Sequence, residues 1–123
     1  MKTAFITGAT GFIGLNLVAE LTARNWQVTA LHRPASDLRW LRQFPVSLAE
    51  GDLRDPASLV RAMPESVDVV FHVAADTSTW SARDRTQTEI NVAGTRNVVQ
   101  AALRRGAKRL RFPRSHVSAE FIK

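Results

Sequence analysis

Three glycines set three residues apart, Gly8, Gly11 and Gly14, are the positions in this chain whose type and spacing point most directly to chemistry. They stand in the stretch Lys2 to Gly14, KTAFITGATGFIG, with Thr7 before them and Thr10 among them. An apolar run, Ala4 to Ile6, enters the turn, and Ile13, Leu17, Val18 and Leu21 leave it at helical spacing. Strand, glycine turn and helix in direct succession is the context in which such glycines can take a pyrophosphate. Gly8 lets the chain leave the strand sharply, Gly11 lets backbone N–H groups approach the phosphates, and Gly14 lets the helix pack closely on the sheet. The anion would sit at the helix N-terminus, where unpaired N–H groups and the dipole both favour negative charge. A glycine-rich turn without a ligand is the plainer alternative.

Other chemistries find less support. His32, His72 and His116 have no ligand-like spacing, and no GxSxG or HExxH occurs. There is no Cys, which excludes disulfides and thiolate metal sites and fits a reducing cytoplasm. There is no Tyr.

Around the turn, the elements alternate. Trp26 to Leu31 reads as a second strand after a helix stopped at Asn25, and His32, Arg33 and Pro34 follow it. In a dinucleotide fold the end of this strand approaches the adenosine ribose, where an acid would hydrogen-bond the 2′-hydroxyl. None stands there; Asp37 comes later and is expected to cap a short helix to Gln43. Arg33 can instead clasp a 2′-phosphate, or simply point into solvent. Val46 to Glu50 gives a third strand, and GDLRDP follows as Gly51 to Pro56, with Asp55 and Pro56 starting a helix to Met63. Val67 to Ala75 is apolar except at Asp68 and His72, which predicts a parallel strand covered on both faces. His72 is expected to be packed and hydrogen-bonded rather than catalytic.

The longest helix is predicted from Asp84 to Arg105, with Ile90, Val98, Ala101 and Ala102 on one side. Asn91 costs that helix propensity, which favours a functional reading in which its side chain reaches the end of strand four over one in which it faces solvent. Gly106 ends the helix, and Lys108 to Phe112 is a fifth strand with one apolar face, the pattern of a protected sheet edge. The whole predicts an α/β, Rossmann-like, doubly wound parallel sheet of five strands in the order 3-2-1-4-5, with no sixth strand. A cofactor would lie at the carboxyl ends, where the order reverses.

The stretch TGATGFIG resembles the cofactor loop of the extended short-chain dehydrogenase/reductases, the sugar-nucleotide epimerases, dehydratases and dihydroflavonol-reductase-like enzymes. FHVAA, GDLRDP and NVAGTRNVV are similar to further motifs of that family, so the resemblance spans residues 1 to 112. It implies an NAD(P) site at Gly8, Thr10, Gly11, Phe12, Ile13 and Gly14. It also implies that Asp52 and Leu53 flank the adenine, that Ala74 and Ala75 leave room for the riboses, and that Asn91 reaches the catalytic region. An arginine matching Arg33 in the dihydroflavonol-reductase-like group favours NADP(H) over NAD(H). Trp80 falls in the loop that borders the substrate, or only lids the core. Ser115 matches the place of the catalytic serine, whereas the family's Tyr and Lys, separated by three residues, have no counterpart here.

The expected domain is thus an NAD(P)-binding portion over residues 1–112 and a divergent basic tail over 113–123. The expected function is the cofactor-binding part of an oxidoreductase or epimerase for a secondary alcohol or ketone, inactive alone. Non-catalytic nucleotide binding, or self-association through strand five, is the alternative. Partners are a dinucleotide and, with the missing half supplied, a small-molecule substrate.

Length and charge agree with one domain. At 123 residues the chain can bury roughly two thirds of its surface. The formal charge of +6 arises from residues 101–123, where seven Lys or Arg face one acid, Glu120. That segment offers two aromatics, Phe112 and Phe121, and no nucleic-acid motif, so a solvated basic surface is favoured over nucleic-acid binding. No signal-peptide pattern opens the sequence, and no stretch approaches about 18 apolar residues, so a cytoplasmic location off the membrane is expected.

Overall fold

In the computed structural model, the described residues are 1–73, 85–112 and 118–120. The elements run β1 (Thr3–Thr7), α1 (Phe12–Ala23), β2 (Gln27–His32), a 3-10 turn (Leu41–Gln43), β3 (Val46–Glu50), α2 (Pro56–Ala62), β4 (Val69–His72), α3 (Arg85–Arg104), β5 (Arg109–Arg111) and β6 (Ser118–Glu120). One sheet holds them in the order 3-2-1-4-5-6. The first five strands are parallel, in the expected order.

Each strand sends alternate side chains to opposite layers. Phe5, Val70 and Leu110 join Leu59 and Met63 of the α2 region and Val98, Ala101 and Ala102 of α3 in one core. Ala4, Ile6, Val28 and Ala30 pack with Val18 and Leu21 of α1 in the other. Helix stops follow the backbone: α1 gives way at Asn25 (φ 64°) and α3 at Gly106 (φ 71°), both left-handed, as their residue types allow. Asp68 ties the amino ends of three strands together. Its carboxylate accepts from Thr3 N (2.8 Å), Thr3 Oγ1 (3.0 Å) and Lys108 Nζ (3.1 Å), and these bonds, the Thr3 amide foremost, hold its pKa below the ordinary value.

Three expectations are corrected. Beyond β5 stands a sixth strand, antiparallel, pairing Arg109 with Glu120 and Arg111 with Ser118. The outer edge of β5 is therefore taken, and with it goes the basis for self-association through an open fifth strand. The missed signal was weak, because Ser118–Glu120 is only three residues long, too short to show an alternating pattern. Asp37 starts no helix to Gln43; only Leu41–Gln43 winds, as a 3-10 turn. The Asp37 carboxylate is engaged locally by the Arg39 amide (3.0 Å) and guanidinium (2.8 Å). Leu38, Leu41 and Phe44 are drawn instead against the α1-side core. β4 is also shorter than Val67 to Ala75, and Ala74 and Ala75 lie outside the described residues.

Candidate functional site: a cleft at the carboxyl ends of β1, β2 and β3

The glycine turn divides its work among its three glycines. Gly8 has φ 72° and so needs the freedom of glycine to leave β1, and its carbonyl accepts from Gly11 N (3.2 Å). A Cβ on Gly14 would collide with the Gly8 carbonyl oxygen and fall 2.7 Å from Ala9 Cα, so closeness of helix to turn requires glycine there. Among the described residues, a Cβ on Gly11 would meet only the Gly8 carbonyl, at an ordinary 3.6 Å. None of the described residues demands glycine at position 11. α1 then begins without a side-chain cap and without an acid in its first turn. Its first amides and positive dipole end are not neutralised, which suits an anion.

The ends of β2 and β3 form the opposite wall. Gly51 N donates to His32 O (2.9 Å), joining the two strand ends. Arg33 begins a tight turn closed at both levels: Ser36 N donates to Arg33 O, and Arg33 N to Ser36 Oγ, each at 3.0 Å. Asp52 is fixed from below by Ser58, whose buried hydroxyl accepts from Asp52 N (3.0 Å). The Asp52 carboxylate binds the Arg54 guanidinium through two contacts, 3.0 and 3.2 Å, and accepts from Arg54 N (2.9 Å). These bonds, with the nearby charge of Arg33, lower its pKa to about 2 and keep it ionised.

Between these walls lies a cleft of about 280 Å³. Thr7, Gly8 and Thr10 line it from the glycine turn, and Arg33 and Ser36 from the end of β2. Asp52, Leu53 and Arg54 line it after β3, and Asn91 from α3. The residues singled out from sequence at 8, 10, 33, 52, 53 and 91 are thus brought to one place from four parts of the chain. Gly11, Phe12 and Ile13 sit beside it at the start of α1. Phe12 is highly exposed, Ile13 packs on the α1-side core and Gly14 is buried. Ala74, Ala75, Trp80 and Ser115 lie outside the described residues.

A larger opening, about 490 Å³, lies at the amino ends of the strands. It has neither a glycine turn nor a helix N-terminus. Its charges are partly answered, Lys108 by Asp68 and Lys2 by the Trp26 ring, 5.5 Å away.

His72 is the buried histidine the sequence led us to expect, 2% exposed. Its Nδ1 lies 2.6 Å from Thr7 Oγ1 and its Nε2 3.0 Å from Thr95 Oγ1, while Phe112 meets the ring edge-on at 5.9 Å. Burial lowers its pKa to about 4, so it is neutral near pH 7.

Several positioning residues had no individual signal in the sequence. Asn97 Nδ2 donates to Leu53 O (2.8 Å), and a Cβ on Gly94 would stand 3.2 Å from Leu53 Cβ. α3 therefore holds Leu53 in the cleft by a bond and by a close approach. The spacing of 94 and 97, one helical turn, was the available hint. Arg54, read only as part of GDLRDP, belongs to the cleft wall itself.

A doubly wound parallel sheet with a glycine turn feeding an uncapped helix where the strand order reverses is the dinucleotide-binding class of α/β protein. Within it, the chain belongs to the NAD dependent epimerase/dehydratase family, which it matches over residues 4–120. It is 41% identical over 108 residues to sterol demethylase protein B of Methylococcus capsulatus, covering 88% of this chain and 33% of that protein. To 2-alkyl-3-oxoalkanoate reductase of Shewanella oneidensis it is 37% identical, covering 80% and 24%. The crystal structure of gox2253 superimposes with a TM-score of 0.76 at 39% identity, over 88% of this chain and 32% of that one. The Bordetella bronchiseptica enzyme WbmH, solved in complex with NAD+, gives 0.67 at 28% identity, over 89% and 38%. The chain thus spans about a third or less of the length of these curated relatives. Among the described residues, no helix is long and apolar enough to cross a membrane, and no cluster of His, Cys, Asp or Glu could hold a metal.

Proposed function

We propose that these 123 residues are the cofactor-binding portion of an NAD(P)-dependent oxidoreductase or epimerase acting on a secondary alcohol or ketone, with NADP(H) preferred. The observation that carries this reading is the convergence of the glycine turn, the Arg33 turn and the Asp52–Arg54 segment on one cleft. The pyrophosphate would lie on the Gly8–Gly14 turn against the first amides of α1. Asp52 would accept from the adenine amino group, and Leu53 would cover the ring. Arg33 would take the 2′-phosphate, since no acid follows β2 to claim a 2′-hydroxyl.

The nicotinamide ring supplies hydride chemistry when bound. The residues of this chain bind and orient. Proton exchange by a tyrosinate is not available from a chain without Tyr, and losing a general acid or base costs about a hundredfold to ten-thousandfold in rate. The isolated chain is therefore read as holding cofactor without useful turnover. Trp80 and Ser115 keep their sequence-based assignments, to the substrate side and to the catalytic serine's place, as part of this proposal, as do Ala74 and Ala75 beside the riboses.

Separate calorimetric titrations with NADPH and NADH test it. Binding of NADPH more tightly than NADH is the expected result. A folded chain that binds neither dinucleotide would end the proposal.

A further inference from the structure

We propose that Arg54 is a specificity-determining residue for a 2′-phosphorylated dinucleotide, acting by neutralising Asp52. The inference rests on the dinucleotide reading of the cleft. Asp52 is useful to any adenine nucleotide, but its charge is unfavourable to a 2′-phosphate, which itself carries about −1.5 to −2. The carboxylate stays ionised, since its pKa is about 2. With Arg33 alone opposite it, this rim of the cleft would be electrically neutral.

Arg54 changes that balance. Its guanidinium lies on the Asp52 carboxylate through Nη2 to Oδ2 (3.0 Å) and Nε to Oδ1 (3.2 Å). These contacts leave the Nη1 donors uncommitted among the described residues. The main chain of Asp52 is held in place by Ser58 Oγ and Asp55 N. The pair is open to ligand: the Arg54 side chain is 64% exposed and that of Asp52 31%. Arg33 and Arg54 thus line the same cleft as the one carboxylate whose charge both oppose, and the rim carries a net positive charge. A guanidinium with donors to spare can hold a carboxylate and still face a phosphate, which a point charge on a flexible stem does less well.

The test measures dissociation constants for NADPH and NADH by calorimetry on the wild-type chain and on Arg54→Gln, Arg54→Lys, Asp52→Asn and the double variant Asp52→Asn/Arg54→Gln, each checked for folding by circular dichroism. Arg54→Gln is expected to weaken NADPH by about tenfold and NADH by less than about twofold. Arg54→Lys, which keeps the charge, should lose less. The double variant should regain much of the NADPH affinity, because removing the carboxylate charge removes the need for neutralisation. Equal losses for both dinucleotides, or no recovery in the double variant, would overturn the role assigned to Arg54 while leaving the cofactor cleft standing. A wild-type chain that binds neither dinucleotide would overturn both.

Discussion

Thr7 and His72 are paired twice over: they are register partners on neighbouring strands β1 and β4, and Thr7 Oγ1 lies 2.6 Å from His72 Nδ1. The residue that enters the glycine turn is thereby bonded to the last residue of β4. Through Nε2 the same ring reaches Thr95 of α3, the helix that carries Asn91 to the cleft. A neutral imidazole suits this role, because each hydroxyl can rotate to donate or accept as the tautomer requires.

That arrangement predicts acid sensitivity. The folded pKa of His72, about 4, lies below the ordinary 6.5, so the unfolded chain binds more protons once the pH falls below 6.5. The stability His72 contributes as a neutral group is fully present above pH 6.5 and is lost as the pH falls toward 4, by roughly 3 kcal/mol. Urea unfolding at pH 7, 5.5 and 4 measures it. His72→Asn should start less stable at pH 7 and show a flatter decline over this window. An equally steep decline in the variant would assign the acid sensitivity to other groups.

The glycine turn predicts two different failures. Gly14→Ala places a methyl against the Gly8 carbonyl, so the helix must shift and stability should fall by about 1–3 kcal/mol. Gly11→Val meets no close contact among the described residues, so stability should change by about 1 kcal/mol or less, mostly through a poorer helix N-cap. Its branched side chain would nonetheless fill the approach to the first α1 amides and abolish nucleotide binding. Thermal melts set beside NADPH titrations separate the two. Unchanged affinity in Gly11→Val would remove the turn from the site.

Arg33→Asp reverses the charge at the end of β2. NADPH affinity should fall by roughly tenfold to a hundredfold, while NADH is held or improved by a new acceptor for the 2′-hydroxyl. The measured quantity is the ratio of the two dissociation constants. An unaltered ratio would place Arg33 in solvent, as its exposure allows.

What could be read from sequence was what depends on local pattern. Gly8, Asn25 and Gly106 announced their turns because few other residues take positive φ. Strands one and four announced themselves by apolar runs and strand five by its alternation of Leu110 and Phe112 with arginines. Position 33 could be sent to the cleft because the fold class fixes where strand ends meet, whereas 52 was assigned by the resemblance and 91 by its cost to the helix. What could not be read depended on side chains choosing partners across the fold. Asp37 looked like a cap until Arg39 engaged it, and Asn97, Thr95 and Ser58 resembled ordinary polar helix residues until Leu53, His72 and Asp52 were seen beside them. β6 escaped notice because three residues carry no period.

The grip of α3 on Leu53 yields the last prediction, and its signature is the opposite of that of Arg33. Asn97→Ala removes the bond to the Leu53 carbonyl, which should cost about 1 kcal/mol of stability. Gly94→Ala adds a methyl 3.2 Å from Leu53 Cβ, tight enough that Leu53 must give way. Leu53 is a cleft residue on the short connection between β3 and α2, so it can move, and it would move within the site. The adenine it covers in the proposed complex is common to NADPH and NADH. Both variants should therefore weaken the two dinucleotides by the same few-fold factor, leaving their ratio untouched. A changed ratio would mean that Leu53 acts through the Arg33 and Arg54 side of the cleft, and unchanged affinities for both would mean that it does not cover the adenine at all.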